Sequence, residues 1–144
     1  MKSTAPFRLL FAVAAAYDGL LGLAFILAGP QIFRAAGITP PNHWGYVHFG
    51  AGVLVIFAVM FLQIALNPPA CRLLIPYGIL LKVCYVGTVL WHELSGGVPA
   101  MWLYFAVADA VFGILFVWSF RCLGAPGQRG AGLQPGGDRA APAP

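Results

Sequence analysis

Three charged residues lie within long apolar stretches of this 144-residue chain. Asp18, Lys82 and Asp109 are each near the middle of such a stretch. A charged side chain that faces lipid at the centre of a bilayer costs ~2.5–3.5 kcal/mol. Such groups therefore pair with one another, and they mark ion pathways and proton relays. The three residue types predict an Asp–Lys–Asp set inside a membrane, with a formal charge of −1.

The depth of the three residues favours contact between them. Each lies ten to twelve residues from a basic residue at the same end of its helix. At ~1.5 Å per residue, all three are ~15–18 Å from that boundary, at the bilayer centre. The basic residues are Arg8 for Asp18, Arg72 for Lys82 and Arg121 for Asp109.

Two interpretations of this charge set stay open. In the first, it fixes which helices meet and in what register, since intramembrane polar contacts of ~1 kcal/mol can do so. In the second, the excess negative charge holds a proton, a cation or a cationic ligand. Tyr85, three residues beyond Lys82, shares its helical face and belongs to the candidate site under both interpretations.

A second polar group lies near the other ends of the helices. His48 is about one turn inside the second apolar stretch, and His92 ends the third, with Glu93 beside it. Two histidines on different helices can serve as axial haem ligands. His43 and His48, five residues apart, point to different faces of a regular helix, and neither CxxCH nor HExxH occurs. A haem or quinone site here is the weaker hypothesis, and no metal ligands are assigned.

The composition excludes a soluble domain. The chain is 60% hydrophobic and 8% charged, with a mean hydropathy of +0.85, whereas soluble chains carry about 25% charged residues. The net charge of +4 rests on eight basic residues, mostly at helix ends, so it indicates membrane orientation rather than nucleic-acid binding. No nucleophile elbow, P-loop or Rossmann glycine pattern is present, and the three cysteines form no CxxC pair. We therefore expect no catalytic activity.

Four apolar helices of roughly 20–23 residues are predicted, each long enough to cross a ~30 Å core. Short turns between them favour an up-down-up-down, all-α bundle. A separate amphipathic piece, 31–37, should lie in the membrane interface after the first helix stops at Gly29-Pro30. The predicted helices are about 7–28, 44–66, 72–92 and 99–120, within a membrane domain 1–121. The Gly-, Pro- and Ala-rich remainder, 122–144, is predicted to be a disordered cytoplasmic tail.

The basic residues outside the apolar stretches predict the orientation. Six of the seven fall on one side of the membrane if both termini are cytoplasmic, and Arg34 alone falls on the other. The expected location is the inner membrane of a bacterium. The six residues are Lys2, Arg8, Arg72, Arg121, Arg129 and Arg139.

The segments YDGLLGLAF in the first helix and YGILLKVCY in the third resemble the small four-helix membrane proteins grouped as DoxX-like. The resemblance covers roughly residues 7–120. It implies an accessory subunit near an electron-transfer enzyme, because some DoxX-like proteins are associated with quinone-linked sulfur oxidation or membrane redox assemblies. This chain has no redox-active cysteine pair of its own.

These observations give one leading function and two alternatives. The leading hypothesis is a non-catalytic accessory subunit of a larger membrane complex, of redox type if the resemblance holds. The first alternative is a small proton- or cation-coupled carrier that uses the charge set. The second is a haem- or quinone-binding subunit. The expected partners are the lipid bilayer together with other membrane subunits or further copies of the chain.

Overall fold

The computed structural model describes residues 4–124, and in that range the chain is helical without strands. A short 3-10 turn, Arg72–Leu74, leads into the third of four long helices. All four are long and apolar enough to span a membrane, which confirms the predicted all-α membrane bundle. The predicted tail lies outside the described residues, apart from its first three positions. The helices are α1 (Ala5–Ala35), α2 (Gly45–Leu66), α3 (Ile75–Gly96) and α4 (Ala100–Cys122).

Helix α1 buries one continuous stripe of residues. The buried positions recur at intervals of four and three, the spacing of a helix that packs along a coiled-coil-like seam. Asp18 is one of them, so packing of this stripe takes the carboxylate into the bundle rather than into lipid. The stripe consists of Phe7, Phe11, Ala14, Asp18, Gly22, Phe25, Gly29 and Phe33.

A bend divides α1 where the sequence predicts its end. Ala28 has non-helical angles (φ −134°, ψ 22°), and Pro30 follows inside the helix. Proline has no N–H to donate to the preceding turn, and its ring clashes with that turn, so the helix kinks there. Helical structure nevertheless continues to Ala35, so the predicted separate piece is largely the last part of a longer α1. Phe33, in this part, packs against Trp44 with ring centroids 5.3 Å apart.

The bundle consists of two helical hairpins. In the first, α1 and α2 pack closely along much of their length, and in the second α3 packs against α4. The helices of the first hairpin approach closely at Gly22, where a Cβ atom would lie 2.6 Å from the carbonyl oxygen of Ala51. Contacts between the hairpins, α1 with α4 and α2 with α3, are much sparser.

One end of the bundle is closed by aromatic packing. We call it the termini end, because α1 begins and α4 ends there; the opposite end, with the α1–α2 and α3–α4 loops, is the loop end. The Phe116 ring lies 4.8 Å from that of Phe11 and 5.0 Å from that of Phe61, measured between centroids. All three are fully buried, together with Ile64 and Ile75. This core joins all four helices and leaves the termini end tightly packed.

Two arginines each join the two helices of one hairpin at the termini end. Arg8 donates hydrogen bonds to the carbonyl oxygens of Ala65 (3.3 Å) and Leu66 (2.7 Å) at the end of α2. Arg72 donates to the carbonyl of Phe120 (3.1 Å), and its guanidinium lies 3.7 Å from the centre of that ring. The last carbonyls of a helix have no partner inside it, so these bonds satisfy groups that would otherwise be unpaired in lipid.

Candidate functional site

Lys82 joins two carboxylates at the middle of the bundle. Its Nζ lies 2.8 Å from Oδ1 and 2.9 Å from Oδ2 of Asp18, and 2.8 Å from Oδ1 of Asp109. The side chains of Lys82 and Asp18 are each 1% exposed, and that of Asp109 is 7% exposed. The residues come from α3, α1 and α4, so side chains from three helices meet at one point.

The two carboxylates are not held equally. Asp18 accepts a hydrogen bond at each oxygen from the Lys82 ammonium. Asp109 forms an ion pair with the same ammonium at 2.8 Å through Oδ1, and its side chain is more exposed than that of Asp18, 7% against 1%. An ammonium has three donors, and two of them point to Asp18. The third donor is available to Asp109, which is the more accessible of the two carboxylates.

Aromatic rings surround the Lys82 ammonium. The ring centres of Tyr17, Phe61 and Phe112 lie 5.6, 5.9 and 5.7 Å from Nζ. Ring faces within ~6 Å attract a cation while keeping water away from it. The Tyr17 hydroxyl is buried and has no hydrogen-bond partner. The charge set thus lies in surroundings where an unbalanced charge is costly.

A cavity of about 510 Å³ lies between the hairpins, in the half of the bundle toward the loop end. Tyr17, Asp18 and Asp109 line it at the level of the charge set. Its volume is in the range of small-molecule sites, ~300–1,000 Å³. The walls are apolar and aromatic, and include Leu21, Phe25, Leu54, Tyr85, Trp102 and Phe105.

The cavity opens sideways between α2 and α3. Tyr46 and Phe49, which line it on α2, are 70% and 76% exposed. Cys84 and Thr88, which line it on α3, are also exposed. These two helices pack sparsely against each other. In a membrane, this opening faces lipid.

A second space lies on the other side of the charge set. It is an open groove of about 470 Å³ between α3 and α4. Lys82 and Asp109 line it, together with the small residues Gly87 and Gly113. Asp109 is therefore common to the walls of the cavity and the groove. The charge set stands in the partition between the two spaces.

Tyr85 lies in the cavity wall next to the charge set. Its hydroxyl donates a hydrogen bond of 3.4 Å to the carbonyl oxygen of Trp102, so it links α3 to α4. The residue faces the cavity from the same helical side as Lys82, one turn away. Its hydroxyl is among the few polar groups that the cavity offers.

The residues of the second candidate site are exposed at the loop end, except for Glu93, which is partly buried. His43 accepts a hydrogen bond from the Gly45 N–H at Nδ1 (3.0 Å), and Glu93 accepts one from the Val98 N–H (2.8 Å). Within residues 4–124, no group of three or more His, Cys, Asp and Glu side chains could hold a metal ion. A haem or quinone site at His48 and His92 stays a prediction.

The aromatic wall of the cavity was not identified from the sequence as part of a site. A signal for it exists: Phe105 and Trp102 precede Asp109 by four and seven residues, which places all three on one helical face. Phe25 follows Asp18 by seven residues in the same way. Such spacing is equally typical of a packed core. Only the structure shows that these rings leave an open volume.

Comparison with known proteins adds no further assignment. The chain matches no protein-family model, no curated protein and no solved structure. The geometry of the charge set and the cavity is therefore the basis for the function proposed below.

Proposed function

We propose that this protein is a small multi-pass membrane carrier in which the Asp18–Lys82–Asp109 set binds and releases a transported proton or another cation. The observation that carries the proposal is the position of Asp109 in the wall common to the cavity and the groove. Carrier sites lie near the bilayer midplane, at the interface between two helical units that move against each other. Asp109 belongs to a charge set that joins the two hairpins, and it borders both spaces.

The charge balance supports exchange rather than a purely structural role. Two carboxylates and one ammonium leave a formal charge of −1 if all are ionised, at a depth where water does not screen it. A structural pair would need only one acid for Lys82. The second acid, Asp109, supplies the additional negative charge and is more exposed than Asp18, 7% against 1%. A proton or a bound cation at Asp109 removes the excess charge.

The same contacts couple the charge of Asp109 to the packing of the hairpins. Lys82 and Asp109 belong to the second hairpin, whereas Asp18 belongs to the first. When Asp109 is neutralised, the Lys82 ammonium has one ionised partner left, across the hairpin interface, and that contact strengthens. A ligand that changes this contact shifts the population of hairpin arrangements by its differential affinity for them.

Proton movement into proteoliposomes tests the carrier function. The purified chain is reconstituted, a potassium diffusion potential is imposed with valinomycin, and internal pH is followed with a trapped dye. We expect proton entry above the rate of protein-free liposomes, and a return to that rate in Asp109→Asn. Glu93→Gln, which changes an acid that only accepts the Val98 N–H bond, is the matched control and should transport normally.

The amount of each variant in the liposomes is compared by gel, so that a lower transport rate is not caused by a lower amount of protein. Unchanged proton entry in both Asp109→Asn and Asp18→Asn would remove the carrier function. The accessory-subunit hypothesis and the DoxX-like resemblance stay predictions. Gentle extraction at native abundance, followed by a native gel, distinguishes a subunit of a large assembly from a small homo-oligomer.

A further inference from the structure

The cavity offers hydrogen-bond acceptors and little that would bind an anion. Asp18 and Asp109 line it, whereas Lys82 lines the groove instead. The Lys82 ammonium is occupied by three carboxylate contacts of 2.8–2.9 Å. A ligand in the cavity therefore meets negatively charged oxygens and no free cation of the bundle. This charge pattern favours a cationic ligand.

The walls of the cavity suit the body of an organic cation. Phe25, Trp102 and Phe105 pack together with ring centroids 6.0–6.3 Å apart, and Tyr17 and Tyr85 extend this aromatic surface toward the charge set. Aromatic faces bind quaternary ammonium groups by cation–π attraction, which is strongest in sites without water. An inorganic ion would gain little from such walls, because it needs a shell of oxygen ligands.

Asp109 is the group that a cation would approach. Its side chain lines the cavity and is 7% exposed, whereas that of Asp18 is 1% exposed. The titratable or charged groups around it are Asp18 and Tyr17 from α1, and Lys82, Cys84 and Tyr85 from α3. The α2 side of the cavity contributes Tyr46 and otherwise apolar residues.

We propose that the cavity between the hairpins binds a lipophilic organic cation, with its ammonium group against Asp109 and its apolar body among the aromatic rings. The proposal rests on the carrier function above and names its ligand class. The cation takes the place of the proton that otherwise balances the excess charge. Binding therefore releases a proton, and affinity rises as pH rises.

Equilibrium dialysis of the full-length chain in detergent micelles tests this assignment. The probe is radiolabelled benzyltrimethylammonium, and its uncharged carbon analogue, neopentylbenzene, serves as a competitor of the same shape. We expect saturable binding of the cation that the uncharged analogue does not displace, with proton release into weakly buffered solution. Absence of saturable binding, or displacement by the uncharged analogue at equal concentration, would overturn the proposal.

Three variants locate the site. Asp109→Asn should abolish binding, and Trp102→Leu should weaken it about tenfold, because the aromatic body of the probe loses its stacking contact with the indole ring. Trp91→Leu is the matched control, because Trp91 is 71% exposed and does not line the cavity. If Asp109→Asn does not fold, Trp102→Leu carries the test, and full binding by that variant would contradict the assignment.

Binding in detergent involves no gradient, so its outcome is separate from the transport assay. Saturable cation binding without proton movement in liposomes would support this ligand class and contradict the proposed carrier function. Proton movement that depends on Asp109 without saturable cation binding overturns the ligand class and leaves the carrier function standing.

Discussion

Lys82 brings an ammonium group to within 2.8 Å of carboxylates from two other helices, at a position where neither sign of charge is stable alone. The three charges are separated in sequence by 64 and 27 positions, so only the folded bundle joins them. Each charge is stabilised by the others rather than by water. Removal of Lys82 therefore leaves two buried carboxylates without a counter-charge, whereas removal of one aspartate leaves a neutral ion pair.

Substitution of Lys82 should destabilise the protein strongly. Lys82→Met leaves two carboxylates side by side without a counter-charge, and breaking a buried pair in this way costs about 3–5 kcal/mol. We expect a lower midpoint of unfolding in SDS and a reduced yield of folded protein. In the triple variant Lys82→Met with Asp18→Asn and Asp109→Asn, no charge is buried, so the midpoint should recover. A wild-type midpoint for Lys82→Met alone would contradict this account.

The sequence was informative about these residues because bilayer depth can be counted along a helix. Ten to twelve residues from a boundary places Asp18, Lys82 and Asp109 at one level, and the contacts lie there in the structure. The unequal exposure of the two aspartates, 1% and 7%, could not be counted in this way, because it is a property of the packing around them.

At the scale of helices, the first hairpin depends on one close approach. Gly22 lets the α1 backbone lie against Ala51 of α2, where a Cβ atom would lie 2.6 Å from a backbone oxygen. Backbone cannot move aside as a flexible side chain can. Glycine at this position therefore sets the distance between the two helices that carry much of the cavity wall.

The variant Gly22→Ala should separate α1 from α2 and cost about 1–3 kcal/mol, as overpacking of a tight contact does. Gly52→Ala, one residue after Ala51, is the matched control, because nothing lies within 4 Å of the added carbon. It should be neutral or stabilising by about 0.5–1 kcal/mol, since alanine is the better helix former. SDS unfolding of the two variants measures the difference, and equal midpoints would show that the close approach contributes nothing.

The number and length of the helices could be predicted from the sequence, because bilayer thickness sets the length of an apolar helix that spans it. The end of α1 could not be predicted. Gly29-Pro30 is typical of a helix end, but the chain after the bend at Ala28 still buries Phe33 against Trp44, and this packing keeps the last turns helical. Tertiary contact thus overrode a local stop signal. The Arg8 and Arg72 hydrogen bonds were missed for a related reason, since the sequence shows the charge and not the carbonyls it reaches.

The whole molecule is asymmetric along its long axis. The termini end is filled by Phe11, Phe61 and Phe116, whereas the half toward the loop end contains the cavity. Apolar periodicity cannot distinguish a face that fills space from one that lines a void, because both consist of the same residue types. The cavity is therefore the part of the candidate site that the sequence could not predict and that only the structure shows.

The orientation of the bundle is testable with reporter fusions in a bacterial host. The excess of basic residues at the termini end predicts that both termini are cytoplasmic. Green fluorescent protein fused after residue 144 should fluoresce, and alkaline phosphatase fused there should be inactive. Alkaline phosphatase fused after Gly97, in the α3–α4 loop, should be active. The reverse pattern would place the charge excess outside and contradict the orientation.

Because the opening between α2 and α3 faces lipid, the ligand concentration that matters for this protein is the concentration in the membrane. A molecule that enters there arrives from the hydrocarbon phase, so occupancy of the cavity follows the amount dissolved in lipid rather than the amount in water. The bilayer then acts as a first filter, since each buried methylene adds ~0.8 kcal/mol to partitioning. Two compounds with equal affinity for the Phe25, Trp102 and Phe105 rings would differ in potency by their solubility in the membrane.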